Sequence, residues 1–375
     1  MDDNLVAVAS QFAPRGRVLD VREYGSGNVN DTFLITVGGA PPALPPNSPG
    51  EPHFILQRLN PEVFRRPELV MRNLGTFTEH VRRRLEHAPL KPGRRWEVPR
   101  VLLSREGRDH FLDSGGSFWR ALSFIEAAQS FDAIKDLAHA AEVGYALGMF
   151  HKLLSDLPPE RLADTLPGFH LTPGYLSHYD EVLAKHGPPP SPEANYALQF
   201  ISQRRAWAPV LEAAKAQGRL RLRPIHGDPK VNNVMLDTAT GQAVAMVDLD
   251  TVKPGLVHYD IGDCLRSGCN PLGEETEPWE AVRFEPELGR AILKGYLSLA
   301  REFLTGSDYD YLYDAIRLLA FELGLRFFTD YLAGNVYFKA RRREHNLARA
   351  LVQFKLTESI ESQAGALDAI IRDLR

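Results

Sequence analysis

The residues His226-Gly227-Asp228-Pro229-Lys230-Val231-Asn232-Asn233 are followed, after a short stretch, by Val247-Asp248-Leu249-Asp250. This is an H-x-D-x-x-x-x-N pattern with a second Asp fifteen positions beyond the Asn. Moving a phosphoryl group from ATP to a hydroxyl requires a carboxylate to orient that hydroxyl. It also requires a carboxylate and an amide oxygen that hold Mg²⁺ against the phosphates. Asp228 can supply the first group, and Asn233 with Asp248 the second. Asp and Asn also build ordinary turns, and His226 could be a satisfied core histidine. The position of this cluster between strands, with an Asp at a workable distance after it, favours phosphoryl transfer.

The elements that must position these groups are legible. Leu220 to Ile225, Asn233 to Leu236 and Ala243 to Val247 read as short strands, the last two joined by the turn Asp237-Thr238-Ala239-Thr240-Gly241. That hairpin returns Asp248 to the side of Asn233, with Asp228 across the gap. Around it the texture is helical. A first pattern runs from about Asp132 to Leu154, and Ser191 caps a second that opens at Pro192 and extends to Gly218. Helical periodicity returns at 286–304, 310–332 and 346–373. Before residue 125 the chain has short β-rich runs at 32–37, 54–56, 100–103 and 118–125. The expected class is α+β, with a small β-rich lobe over 1–125 and a larger, mostly helical lobe over 126–375. Residues 38–53 hold six prolines in sixteen positions and are expected to form a long mobile loop between two strands.

A nucleotide needs further contacts. In Tyr24-Gly25-Ser26-Gly27-Asn28-Val29-Asn30, the small residues Gly25 and Gly27 let backbone N–H groups approach a triphosphate. This is half of a GxGxxG, and a hairpin turn explains it equally well. No Lys follows a Gly, so the P-loop class is excluded. The Lys that protein-kinase-like enzymes carry on the third strand is absent; Gln57 holds its place, with Arg58 beside it. An Arg supplies charge and a fork of donors, a Gln only a neutral amide, and either could meet the phosphates. Backbone groups from Ser123 through Ile125 to Glu126 could bind adenine, or this could be an ordinary core strand. Asp260 is expected to accept hydrogen bonds from the catalytic loop rather than to hold metal. Lys230 either touches the transferring phosphoryl or pairs with a nearby carboxylate.

Composition narrows the class. Lys plus Arg number 44 against 48 Asp plus Glu, a formal charge of −4 that argues against a nucleic-acid partner. Cys264 and Cys269 cannot build a disulfide framework or a structural zinc site. No stretch of eighteen apolar residues suggests a membrane span, and Met1-Asp2-Asp3-Asn4 is too acidic for a signal peptide. A cytoplasmic enzyme, monomeric or weakly dimeric, is expected.

HGDPKVNN with VDLD resembles the aminoglycoside-phosphotransferase-like small-molecule kinases, and the chain is most similar to the N-acetylhexosamine 1-kinases among them. The matching stretches are GSGNVNDTFLI, FILQRLNPEVF, MRNLGTFTEHV, TGQAVAMVDLDTVKPG, DIGDCLRSG, ELGLRFFTDYLAGNVYF and EHNLARALVQFKL, from residue 25 to beyond 350. The resemblance implies a bilobal protein-kinase-like fold, ATP and Mg²⁺ as cofactors, and an N-acetylhexosamine sugar as acceptor. By that likeness Asp228 is the catalytic base, Asn233 and Asp248 bind Mg²⁺, and Arg326 and Tyr337 contact the sugar. Gln57 is shared with the family, whereas the family's sugar-contacting His in the glycine loop is Asn28 here. Arg326 and Tyr337 lie eleven residues apart, roughly 16 Å along a helix, and Gly334-Asn335 can end that helix and fold Tyr337 back. Alternatives are another small hydroxyl acceptor (a different hexose, an amino alcohol or an aminoglycoside) or a non-catalytic nucleotide-binding module.

Overall fold

A computed structural model describes residues 3–13, 16–25, 29–39, 52–87, 90 and 92–375. The chain divides into two units: residues 1–128 with 161–166, and residues 129–160 with 167–375. The first holds α1 (Asp3–Gln11), β1 (Arg17–Glu23), β2 (Asp31–Gly38), β3 (His53–Arg58), α2 (Pro67–His87), β4 (Val101–Leu102), β5 (Phe111–Leu112) and β6 (Phe118–Ser123). The strands pair antiparallel in the order β1-β2-β3-β6-β4, with β5 also on β6. Alternate residues of these strands, among them Ile35, Phe54, Leu56, Trp119 and Ala121, pack against Val8 and Ala9 of α1 and Phe12 just after it. Most of the proline-rich stretch, residues 40–51, lies outside the described residues.

Two expectations for this unit change. The run 100–103 is a two-residue strand, and the run 118–125 leaves the sheet after Ser123. The texture also hid α2, a 21-residue helix opened by Pro67. It buries Val70, Met71, Leu74, Phe77 and Val81 at helical spacing, and its exposed face carries Glu79, Arg82, Arg83 and Glu86 in ion pairs. Buried Asn73 clamps the outlying segment 161–166 to α2. Its amide donates to the Ala163 carbonyl and its oxygen accepts from the Ala163 amide, both at 2.8 Å.

After the two-residue β7 (Ala128–Gln129), the second unit contains α3 (Leu137–Leu154), α4 (Thr172–His186), α5 (Pro192–Arg204) and α6 (Val210–Ala216). The β excursion follows: β8 (Arg223–Ile225), β9 (Val234–Asp237), β10 (Ala243–Met246) and β11 (Lys253–Gly255). Then come α7 (Val257–Gly268), α8 (Pro286–Ala300), α9 (Gly306–Asp310), α10 (Leu312–Ala333), α11 (His345–Ser362) and α12 (Ala364–Leu374). The first helical pattern starts only at Leu137, where the Asp136 carboxylate caps the His139 amide. Ser191 caps α5 as expected, but the helix does not run on to Gly218. Pro209 has no N–H to continue the ladder, and α6 starts after it. The span 346–373 likewise breaks at Gln363. Among the described residues no helix is long and apolar enough to cross a membrane.

Candidate active site

The loop 226–233 is held from several sides. β8 pairs with β11, Ile225 opposite Lys253, so the loop starts beside the turn that precedes β11. The Thr251 hydroxyl donates to the His226 carbonyl at 2.7 Å. Gly227 has φ +86°, and a Cβ there would lie 2.8 Å from the Thr251 carbonyl oxygen, so the position demands glycine. Asp260, fully buried on α7, accepts from the amides of His226 (2.6 Å) and Gly227 (2.8 Å) and from His151 Nε2 (2.8 Å). Burial alone would raise its carboxyl, but His151 and the loop outweigh that and hold it below the usual range. His151 Nδ1 lies 3.0 Å from the Tyr296 hydroxyl, which joins α3 and α8 to the same network.

Two buried histidines complete the support. His226 Nε2 lies 3.0 Å from the Val247 carbonyl, and the Asp228 amide donates to Nδ1 at 3.3 Å. A neutral ring protonated on Nε2 satisfies both, and burial pushes the ring in that direction. His226 is therefore a strut between loop and hairpin. His170 faces two acceptors, the Gly227 carbonyl at Nε2 and Glu322 Oε1 at Nδ1, each at 2.8 Å, so both nitrogens carry protons. Burial disfavours that charge, yet Glu322 overcomes it and the His170 value is raised. Glu322 also accepts from the Thr172 hydroxyl at 2.6 Å and sits on α10. Sequence reasoning missed this dyad, whose members are 152 positions apart.

With the loop fixed, Asp228 is partly open. Its Oδ2 lies 3.0 Å from Lys230 Nζ and 3.3 Å from Asn233 Nδ2, which also donates to the Asp228 carbonyl at 2.7 Å. Asp228 foremost, against burial, and then Asp248 hold the Lys230 ammonium above its ordinary value. In the β9–β10 hairpin Met246 lies opposite Val234, and the Val247 amide donates to the Asn233 carbonyl at 2.9 Å. Asp248 therefore follows directly on the residue that faces Asn233, and it adopts a left-handed backbone (φ 61°, ψ 57°) that aims it away from the strand line. With its amide nitrogen on Asp228, Asn233 has its side-chain oxygen left as a ligand atom. That oxygen and the Asp248 carboxylate are hard donors of the kind Mg²⁺ takes. Among the described residues no three His, Cys, Asp or Glu converge on a metal position.

The late helices place Arg326 and Tyr337 together. Gly334 ends α10 with φ +92°, and Asn335 follows at φ 60°. The Asp330 carboxylate, one turn after Arg326, then accepts from the amides of Tyr337 (2.7 Å) and Phe338 (3.0 Å). The chain folds back, and the Arg326 guanidinium sits 5.9 Å from the Tyr337 ring centre, 5.4 Å from Phe338, 5.0 Å from Tyr175 and 5.2 Å from Phe169. Among the described residues no hydrogen-bond or ion-pair partner meets this guanidinium. Burial in this surround pushes the Tyr175 hydroxyl up to about 12, with Arg326 opposing. Tyr337 is 58% exposed.

Of the residues expected to meet nucleotide, Gly27 lies outside the described residues, as does Asn28 of the sugar-binding set. Gly25 is at a bend with φ +77°. Register sets the rest. Thr32, Gln57 and Arg120 stand opposite one another on β2, β3 and β6. Gln57 donates to the Thr32 hydroxyl (3.1 Å) and accepts from Arg120 Nε (3.0 Å) and Nη2 (2.7 Å). Arg58 pairs with Asp31 through Nε (2.8 Å) and Nη2, half exposed. Ser123 is joined to Arg100, donating its amide to that carbonyl (2.8 Å) and accepting the Arg100 amide on its hydroxyl (2.9 Å). Ile125 is buried. Arg120, a charge only 1% exposed, was overlooked; an Arg inside the apolar run Phe118 to Ile125 was the available signal.

A family model described as "Phosphotransferase enzyme family" matches residues 20–304. Among solved structures, the chain is similar to an aminoglycoside phosphotransferase from Alicyclobacillus acidocaldarius, with TM-score 0.57, 15% identity, and 98% of this chain and 96% of that one covered. It is also similar to a choline kinase from Cryptosporidium parvum, with TM-score 0.56, 14% identity and coverage of 94% and 91%. A third is an ethanolamine kinase from Plasmodium vivax, with TM-score 0.53, 13% identity and coverage of 89% and 82%. These likenesses establish the fold: the protein-kinase-like α+β architecture of such enzymes, as expected from the sequence.

Proposed function

The chain belongs to the Phosphotransferase enzyme family, and on that premise we propose that it transfers the γ-phosphoryl of ATP to the anomeric hydroxyl of an N-acetylhexosamine, giving ADP and the sugar 1-phosphate. The observation that carries the acceptor is Arg326. Its guanidinium lies among four aromatic rings with its donors unanswered by the described residues. An aromatic surround that would suit a quaternary ammonium already has a cation in it, so a second positive charge is disfavoured. A neutral polyol carrying a carbonyl oxygen matches those donors.

In this reading the Asp228 carboxylate accepts the proton of the 1-OH. As it does so, O1 bonds to phosphorus and the bond from phosphorus to the ADP oxygen breaks. Asp260, His170 and His226 hold the loop so that this carboxylate is in place before the acceptor arrives. Asn233 and Asp248 are the residues that would hold Mg²⁺, whose charge offsets that of the phosphates when bound. A second reading, a cationic amino alcohol or aminoglycoside acceptor, is supported by the names of the similar structures. ADP release with Mg²⁺ and ATP, measured across GlcNAc, GalNAc, glucose, choline, ethanolamine and kanamycin, separates the two. Turnover of the N-acetylhexosamines above all others is expected, and turnover of choline or kanamycin alone would replace this reading with the second.

A further inference from the structure

Helix α7 meets the loop 226–231 along one face. Asp260 takes the amides of His226 and Gly227, and at the other end the Ser267 hydroxyl accepts from the Val231 amide at 3.2 Å. Asp263 stands between them on the same face, one turn after Asp260 and one before Ser267, and so faces the stretch containing Asp228. It is 6% exposed. Arg266 binds it in an uneven way: Nε and Nη2 both converge on Oδ1, each at 2.8 Å, instead of forking across both oxygens. Oδ2 is buried and has no hydrogen-bond partner. A buried carboxylate oxygen without a donor is uncommon and calls for one. The surroundings agree. Burial first, and the Asp228 carboxylate against the pull of Arg266, hold the Asp263 carboxyl above its usual range, while Asp263 in turn is one of the charges that Arg326 feels.

We propose that Asp263 is an acceptor-binding residue, its Oδ2 receiving the proton of a sugar hydroxyl while Arg326 donates to another oxygen of the same sugar. The proposal rests on the sugar-kinase reading above. It makes the acceptor site two-signed, with a carboxylate oxygen that reads a donor and a guanidinium that reads an acceptor.

Asp263→Asn tests this in the full-length enzyme. The amide oxygen can keep the Arg266 contacts, but an N–H₂ donor replaces Oδ2. The variant is expected to raise the KM for the N-acetylhexosamine by about 10- to 100-fold and to leave that for ATP within about twofold. In a panel of monodeoxy sugars, one analogue that loses about tenfold with the wild type should lose nothing further with the variant. An unchanged acceptor KM, or the same loss for every analogue in both enzymes, overturns the assignment. Should the variant fail to fold, paired deoxy and deoxyfluoro sugars tested on the wild type take its place. Fluorine cannot donate, so one position must lose turnover in both analogues; full turnover of every fluorinated sugar also overturns the proposal. A wild type that turns over no N-acetylhexosamine removes the sugar reading and this inference together, whereas wild-type turnover with an indifferent Asp263→Asn removes only the inference.

Discussion

In the N-terminal unit, Gln57, Arg58 and Ser123, expected to meet nucleotide, are each answered by another residue of the same unit. Thr32, Gln57 and Arg120 form one row, Arg58 faces Asp31, and Ser123 faces Arg100. In the helical unit, the half-buried Arg326 guanidinium and the buried Oδ2 of Asp263 hold hydrogen-bonding capacity that no described neighbour takes up. Side chains bonded mainly to one another within their own sheet chiefly shape and stiffen it. Side chains left unsatisfied in a folded, buried setting select a ligand by its functional groups. We read the first region as scaffold and the second as the place where the acceptor is chosen.

Substitutions can break or sharpen that contrast. The largest effect is expected at Asp228: Asp228→Asn should lower kcat by about 10³-fold with ATP binding little changed, as loss of a general base does. A variant that kept half its turnover would remove Asp228 from the chemistry. Next is His170→Gln, which leaves Glu322 buried without its cation and should cost about 3 kcal/mol in denaturant unfolding near pH 6. The pH dependence has a definite sign. His170 is raised above its ordinary 6.5, so its contribution is complete below that pH and fades as pH climbs through the folded value. Glu322 is lowered from 4.5 because His170 outweighs its burial, so its contribution is complete above that pH and is lost on acidification. The stability gap between wild type and variant should therefore be widest between about pH 5 and 6.5; a gap that grows towards pH 9 would contradict the charged dyad.

Gln57→Ala should lower stability by about 1–3 kcal/mol, since it withdraws the acceptor of two bonds from the buried Arg120, without changing which acceptor is preferred. Arg326→Met should do the reverse. About a tenfold rise in acceptor KM is expected, with the melting temperature and the KM for ATP nearly unchanged. If Gln57→Ala altered acceptor preference, or Arg326→Met altered only stability, scaffold and selector would have been assigned the wrong way round.

How much of this was legible in the sequence depended on how local the determining interactions are. The hairpin that returns Asp248 to Asn233 could be read because its turn, Asp237 to Gly241, is a contiguous set of turn residues. The loop-holding role of Asp260 and the fold-back at Gly334-Asn335 were legible for the same reason: helix face and helix end are properties of neighbouring residues. Other signals were present but overridden. Pro209 interrupts the span read as one helix, and the apolar stripe of α2 lies in a stretch whose surroundings looked like strands. What could not be read needs tertiary pairing. Arg120 meets Gln57 only through strand register, and His170 becomes a clamp only when α10 brings Glu322 to it. The unpaired, buried Oδ2 of Asp263 depends on both Arg266 nitrogens choosing Oδ1.

The central claim is that Asp228 and the unfilled groups of the helical unit deliver a phosphoryl to the anomeric oxygen of a neutral sugar. Proton-coupled ³¹P NMR of the product formed from ATP and an N-acetylhexosamine, run beside the matching methyl glycoside, tests it most directly. The account predicts a phosphorus coupled to H1 of the free sugar and no product from the glycoside, whose O1 is blocked. A phosphorus coupled to H6, or a glycoside phosphorylated as readily as the free sugar, would contradict it.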